Sequence, residues 1–119
     1  RMRNVFALRN DGTNEACIAL CSGFGSDSAL LRHEVAYVLG QMQNETAIPT
    51  LTQVLSDENE HVMVRHEAAE ALGAIGNYAV KPVLEQFVNH PLPEIAESCE
   101  VAIDLLEWCR SKEYQEVEC

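Results

Sequence analysis

The sequence predicts an all-α fold, a solenoid of stacked helical hairpins, and three observations carry that prediction. A block of eleven residues recurs 33 positions further on. Amphipathic stripes between the copies recur at the same distance. No segment alternates apolar and polar residues for long enough to read as a strand. The block is the strongest of the three. Arg32-His33-Glu34-Val35-Ala36-Tyr37-Val38-Leu39-Gly40-Gln41-Met42 and Arg65-His66-Glu67-Ala68-Ala69-Glu70-Ala71-Leu72-Gly73-Ala74-Ile75 agree at six of eleven positions. Another 33 residues on, Cys99-Glu100-Val101-Ala102-Ile103-Asp104-Leu105 keeps the Glu, Ala and Leu, with Cys99 in place of the histidine. Upstream, Val5-Phe6-Ala7-Leu8 matches Ala36-Tyr37-Val38-Leu39.

Seven helices follow, near residues 1–10, 14–22, 27–42, 45–56, 62–76, 78–89 and 93–109. Asp27 and Ser28 suit the cap of the helix carrying His33, and Gly76-Asn77 stops the helix carrying His66. Ala47, Ile48, Leu51, Val54 and Leu55 form one helical stripe, and Val80, Val83, Leu84, Phe87 and Val88 repeat it. Pro49 and Pro82 correspond, each in a first turn where a missing N–H costs little. Gly40 and Gly73 sit late in equivalent helices, where about 1 kcal/mol of lost helix propensity signals close approach of a neighbour. Residues 1–110 therefore form one repeat domain, with Trp108 closing the terminal core, and 111–119 form a polar tail.

Composition narrows the function. The chain has 119 residues, 47% of them hydrophobic, which is enough for one packed core. Eight Lys+Arg against 19 Asp+Glu give a net charge of −11, which argues against nucleic acid or an anionic membrane and favours a cationic partner. No apolar run approaches the roughly 20 residues that span a bilayer. Five cysteines without framework spacing read as reduced thiols and place the chain in the cytoplasm. Because it opens on Arg1 within a helical pattern, the chain reads as a piece of something longer.

Repetition explains the Ala, Leu and Gly positions but not two identical His-Glu pairs. Equivalent helices of a stack run parallel, roughly 8–10 Å apart, so His33 and His66 point the same way from neighbouring rungs. Both imidazoles could reach one metal ion, with Glu34 and Glu67 about 100° further round each helix offering carboxylate oxygen. Two histidines with one or two carboxylates suit non-haem iron and oxygen chemistry, and Zn and Mn stay open on ligand type alone. Tyr37 and Glu70, one turn beyond the histidines, are substrate-facing candidates. His61 and His90 fall in loops out of register, as solvated histidines do. The alternative function is a non-catalytic scaffold that grips a protein partner.

The segment Ser28-Ala29-Leu30-Leu31-Arg32-His33-Glu34 through Met42, and Met63-Val64-Arg65-His66-Glu67 through Gly76, resemble the signature of the deoxyhypusine hydroxylase family. The resemblance extends from Arg3 to Ala102 and points to the C-terminal half of such a protein. Val62 departs from it, standing where the family often has Pro. It implies a HEAT-like superhelix and a di-iron, oxygen-dependent monooxygenase that completes hypusine on a translation factor. It also implies that His33, Glu34, His66 and Glu67 bind Fe(2+). The family uses four His-Glu motifs and this chain has two. The remaining ligands are expected from a missing N-terminal half or a second copy, and the isolated half is expected to be inactive.

Overall fold

A computed structural model describes residues 2–114. Among them are seven α-helices: α1 (Met2–Asp11), α2 (Asn14–Cys21), α3 (Ala29–Met42), α4 (Ile48–Ser56), α5 (Val62–Ile75), α6 (Lys81–Glu85) and α7 (Pro93–Tyr114). No strand occurs among the described residues. Helices α1, α3, α5 and α7 pack side by side in sequence order, with α2, α4 and α6 behind them. The resulting slab measures 40 × 35 × 17 Å, and its shallow dimension fits two helix layers. No helix among the described residues is long and apolar enough to cross a membrane.

Local chemistry repeats with the sequence. Ser28 Oγ accepts from the Leu31 N–H at the start of α3, and Thr13 does the same for Ala16 in α2. Gln43 and Gly76, 33 positions apart, both end their helices in the left-handed conformation, at φ 54° and 82°. Asn44 and Asn77 then accept from the N–H two residues on, each starting a short 3₁₀ turn that leads to Pro49 or Pro82. The two hairpins are thus copies down to their turns.

The core runs between the layers. Leu39, Leu51, Leu55, Leu72 and Leu84 are fully buried. The two helical glycines are where the inner layer closes up. A Cβ on Gly40 would lie 3.1 Å from Ala71 Cα, and one on Gly73 would lie 2.9 Å from Ala102 Cβ and 3.0 Å from its Cα. Burial pushes the Cys17 and Cys99 thiols up to about 11, so both stay protonated within the core.

Three expectations need correction. The sixth helix, expected over 78–89, is a 3₁₀ turn followed by only Lys81–Glu85. It unwinds ahead of Pro91 and Pro93, which cannot continue its hydrogen bonding, and the Leu92 N–H goes to His90 Nδ1 instead. Helix α7 begins at Pro93, as expected, but runs on to Tyr114, past the expected end near 109 and into the segment read as a tail. Residues 115–119 lie outside the described residues. Trp108 is 51% exposed and does not cap the core.

On the last helix one side of the 33-residue register opens to solvent. That register would bury Val101 and Leu105 where α5 buries Ala68 and Leu72. Instead Val101 is 63% exposed, while Cys99, Ala102 and Leu106 face inward. The side carrying Val101 and Leu105 is open because no later helix covers it among the described residues, while Ala102 and Leu106 keep the buried places of Ala69 and Gly73 and Cys99 is fully buried beside them. Cys99 therefore faces the core and does not take the place of a site histidine.

Candidate metal centre

The arginine of each Arg-His-Glu braces the repeat from behind. Arg32 donates from Nε and Nη2 to the Glu60 carboxylate, at 2.9 and 2.8 Å, and from Nη1 to the Ser26 carbonyl. Arg65 is almost wholly buried; its Nε donates to the Leu55 carbonyl at 2.9 Å, with the guanidinium over the Phe87 ring. Fixing the start of α3 and α5 in this way fixes the direction in which the next two residues point. The loop histidines help at the same ends: His61 Nδ1 accepts from the Met63 N–H and caps α5.

His33 and His66 project from the first two turns of neighbouring helices. His33 Nε2 lies 3.3 Å from Glu67 Oε1, which links the two repeats. His66 Nε2 lies 2.8 Å from Glu70 Oε1, one turn along its own helix. His66 Nδ1 lies 3.1 Å from the Glu94 carbonyl of α7. A carbonyl only accepts, so Nδ1 carries a proton and Nε2 is the nitrogen left to bind a cation. This is the arrangement that metal-binding imidazoles require, with the distal N–H anchored to the protein.

His66, Glu67 and Glu70 each offer a ligand atom, and the three atoms lie within 4.8 Å of one another. An arriving cation would take the place of the direct contact between His66 Nε2 and the Glu70 carboxylate. Glu67 is the buried member, its side chain 13% exposed against 49% for Glu70. Burial, then the charge of Glu70, holds the Glu67 carboxyl above its ordinary value, against the opposing pull of His33 and His66. A carboxylate short of positive charge beside an oriented imidazole fits a divalent cation well.

The four residues expected to bind metal are not equivalent here. His66 and Glu67 lie in the close group, and His33 reaches it through Glu67. Glu34 has no ion-pair or hydrogen-bond partner among the described residues, because one step along the helix carries it about 100° away. Glu70, read from sequence as facing substrate, lies among the candidate ligands; its i, i+4 spacing from His66 was the available signal. The Glu94 carbonyl had none, since any residue there supplies one. Tyr37 stands beside the group, lining a groove of about 180 Å³ with Gln41, Glu67 and Glu70.

Glu67 gives a pH prediction for the metal-free chain. Its folded value is raised, so its destabilising contribution is absent below the ordinary value of 4.5 and complete only above the folded value. Glu67→Gln is therefore expected to raise the thermal midpoint at neutral pH, measured with chelator present. The difference should vanish as pH falls below 4.5. A variant less stable than its parent at pH 7 would show that the His33 contact outweighs burial.

Comparison with known proteins bears on the chain as a whole. Residues 15–104 match the HEAT repeats family. A deoxyhypusine hydroxylase of Arabidopsis thaliana is 62% identical over 108 residues, which are 91% of this chain and 34% of that protein. A deoxyhypusine hydroxylase of Mus musculus is 50% identical over 115 residues, 97% of this chain and 38% of that protein. The structure of human deoxyhypusine hydroxylase in complex with glycerol superposes with a TM-score of 0.92 at 48% identity, covering 95% of this chain and 39% of that one. The chain thus spans little more than a third of the length of these relatives. It belongs to the HEAT repeats family and is similar, along nearly its whole length, to part of the deoxyhypusine hydroxylases.

Proposed function

We propose that this chain supplies one metal-binding part of a cytoplasmic, iron-dependent monooxygenase that hydroxylates deoxyhypusine to hypusine on a translation factor. The observation that carries the proposal is the His66 imidazole, anchored through Nδ1 to the Glu94 carbonyl with Nε2 turned toward Glu67 and Glu70. With His33 at Glu67, the donors are two imidazoles and carboxylate oxygens, a set suited to non-haem Fe(2+). His66, Glu67 and His33 would hold the ion, Glu70 is the candidate fourth donor, and Glu34 stays in the expected set on its register position alone. Bound iron, paired in the complete enzyme, supplies the redox chemistry by which dioxygen and two electrons from a reductant yield one hydroxylated carbon and one water.

The chain's own residues do the rest. Glu67 gives up any proton it holds as the cation binds. The excess of carboxylates, net charge −11, draws in an amine-bearing side chain and repels polyanions. The second set of ligands comes from the remainder of the enzyme or from a second copy of this chain. The test is iron stoichiometry and deoxyhypusine hydroxylation by the full-length enzyme, beside a variant with His33 and His66 both changed to Ala. Iron binding unchanged by the double substitution would overturn the proposal and leave a protein-binding scaffold.

A further inference from the structure

The groove beside the metal group has a donor whose direction is fixed from two helices away. Arg9, on α1, lies over the Phe6 ring at 4.9 Å and donates from Nη1 to Gln41 Oε1 at 2.9 Å. A guanidinium has no acceptor atom, so the Gln41 amide must turn its oxygen to Arg9 and its NH₂ the other way. That NH₂ lies 3.2 Å from the Tyr37 hydroxyl and donates to it. The phenolic oxygen is thereby the acceptor in this contact, and its own hydrogen is free to point elsewhere. Tyr37 and Gln41 line one wall of the groove, Ala36, Gly40 and Ala71 give it apolar surface, and Glu67 and Glu70 supply its carboxylates.

From this geometry we infer that Tyr37 is a hydrogen-bond donor to the substrate, with Gln41 and Arg9 as positioning residues that set its direction. The inference rests on the proposed function and adds a specificity residue to it. The chain's net charge of −11 draws in a cationic amine. Tyr37 O–H selects an acceptor, and a bound polypeptide offers one in the main-chain carbonyl of the segment that presents the amine. A ligand carrying both is held in one orientation; a free diamine offers Tyr37 no carbonyl to accept its hydrogen. The register position matters here. Glu70, the counterpart of Tyr37 one repeat on, is taken up by His66, whereas Tyr37 does not engage His33.

Two near-isosteric changes test this in the full-length enzyme with iron loaded. Tyr37→Phe removes the donor. Gln41→Glu keeps the contact with Arg9 but accepts on both sides, so it captures the Tyr37 O–H and turns it from the groove. Each is expected to weaken binding of the deoxyhypusine-bearing translation factor about tenfold, measured without oxygen, and to raise KM alike. Iron content should hold and kcat should stay within about twofold of the parent. The double variant should be no worse than either single change, since both remove one bond. Gln41→Glu adds negative charge, which by itself favours a cationic ligand, so a loss of affinity cannot come from net charge.

Wild-type affinity in either variant, additive losses, or a loss confined to kcat or iron content would overturn the inference. Failure of the functional proposal reads out separately. The unsubstituted enzyme would then bind no iron and form no hypusine, while the binding comparison would still decide the role of Tyr37.

Discussion

His66→Ala in the full-length enzyme is expected to abolish iron binding at this group and lower hydroxylation by more than about 100-fold. The metal-free protein should hardly change in stability. His66 is only partly buried and adds nothing to the leucine core; its loss removes the contacts to the Glu94 carbonyl and to the half-exposed Glu70, each worth about 1 kcal/mol or less. The two effects separate in a thermal scan. Added Fe(2+) should stabilise the parent by about 2.7 kcal/mol at a hundredfold excess over its Kd, and leave the variant where it was. A large fall in the metal-free midpoint would instead make His66 a packing residue, and its link to α7 would become the main fact about it.

Gly73→Val is expected to have the largest effect on stability. A Cβ at this position meets Ala102 Cβ at 2.9 Å and the Ala102 backbone at 3.0 Å, and backbone cannot swing aside as a flexible side-chain tip can. Helices α5 and α7 must separate, which costs about 3 kcal/mol and lowers the thermal midpoint by about 10 °C or more. The separation also pulls the Glu94 carbonyl from His66 Nδ1, so metal affinity should fall even in protein that remains folded. Calorimetry and metal titration on the same sample test both parts. An unchanged midpoint would mean that α7 slides along α5 without opening the interface.

Much of this architecture is legible because the repeat constrains it twice. Pro49 and Pro82 mark the same point in two hairpins and Gly76-Asn77 marks a helix end, so α3 to α5 follow from spacing, whereas Gln43 taking the left-handed place of Gly76 does not. The spacing holds only in part at α7: Ala102 and Leu106 keep their buried places, but Cys99 is fully buried where His66 is partly exposed, and Val101 is open because no later helix packs on that side among the described residues. Trp108 then lies on an outer face, because an apolar residue late in a terminal helix has no following repeat to pack against. At the metal group, the like-facing histidines were legible from the repeat. Which oxygens approach them was not: Glu34 and Glu67 are identical by register, yet only Glu67 lies between two rungs. Distances across repeats depend on helix separation, which Gly40 and Gly73 set and which no periodicity reports.

The contact between His66 and the Glu94 carbonyl joins helices adjacent in the inner layer, as does that between His33 and Glu67. Each therefore closes a stretch of chain about one repeat long. Doubling such a loop costs only about 0.6 kcal/mol of closure entropy, so the site does not depend on bringing distant parts of the chain together. During synthesis, α3, α5 and α7 emerge in the order in which they dock, and the half-centre can form once α7 has left the ribosome. Ribosome-bound chains long enough to bring α7 outside the ribosome should already acquire iron-dependent resistance to proteolysis, and chains ending before Pro93 should not.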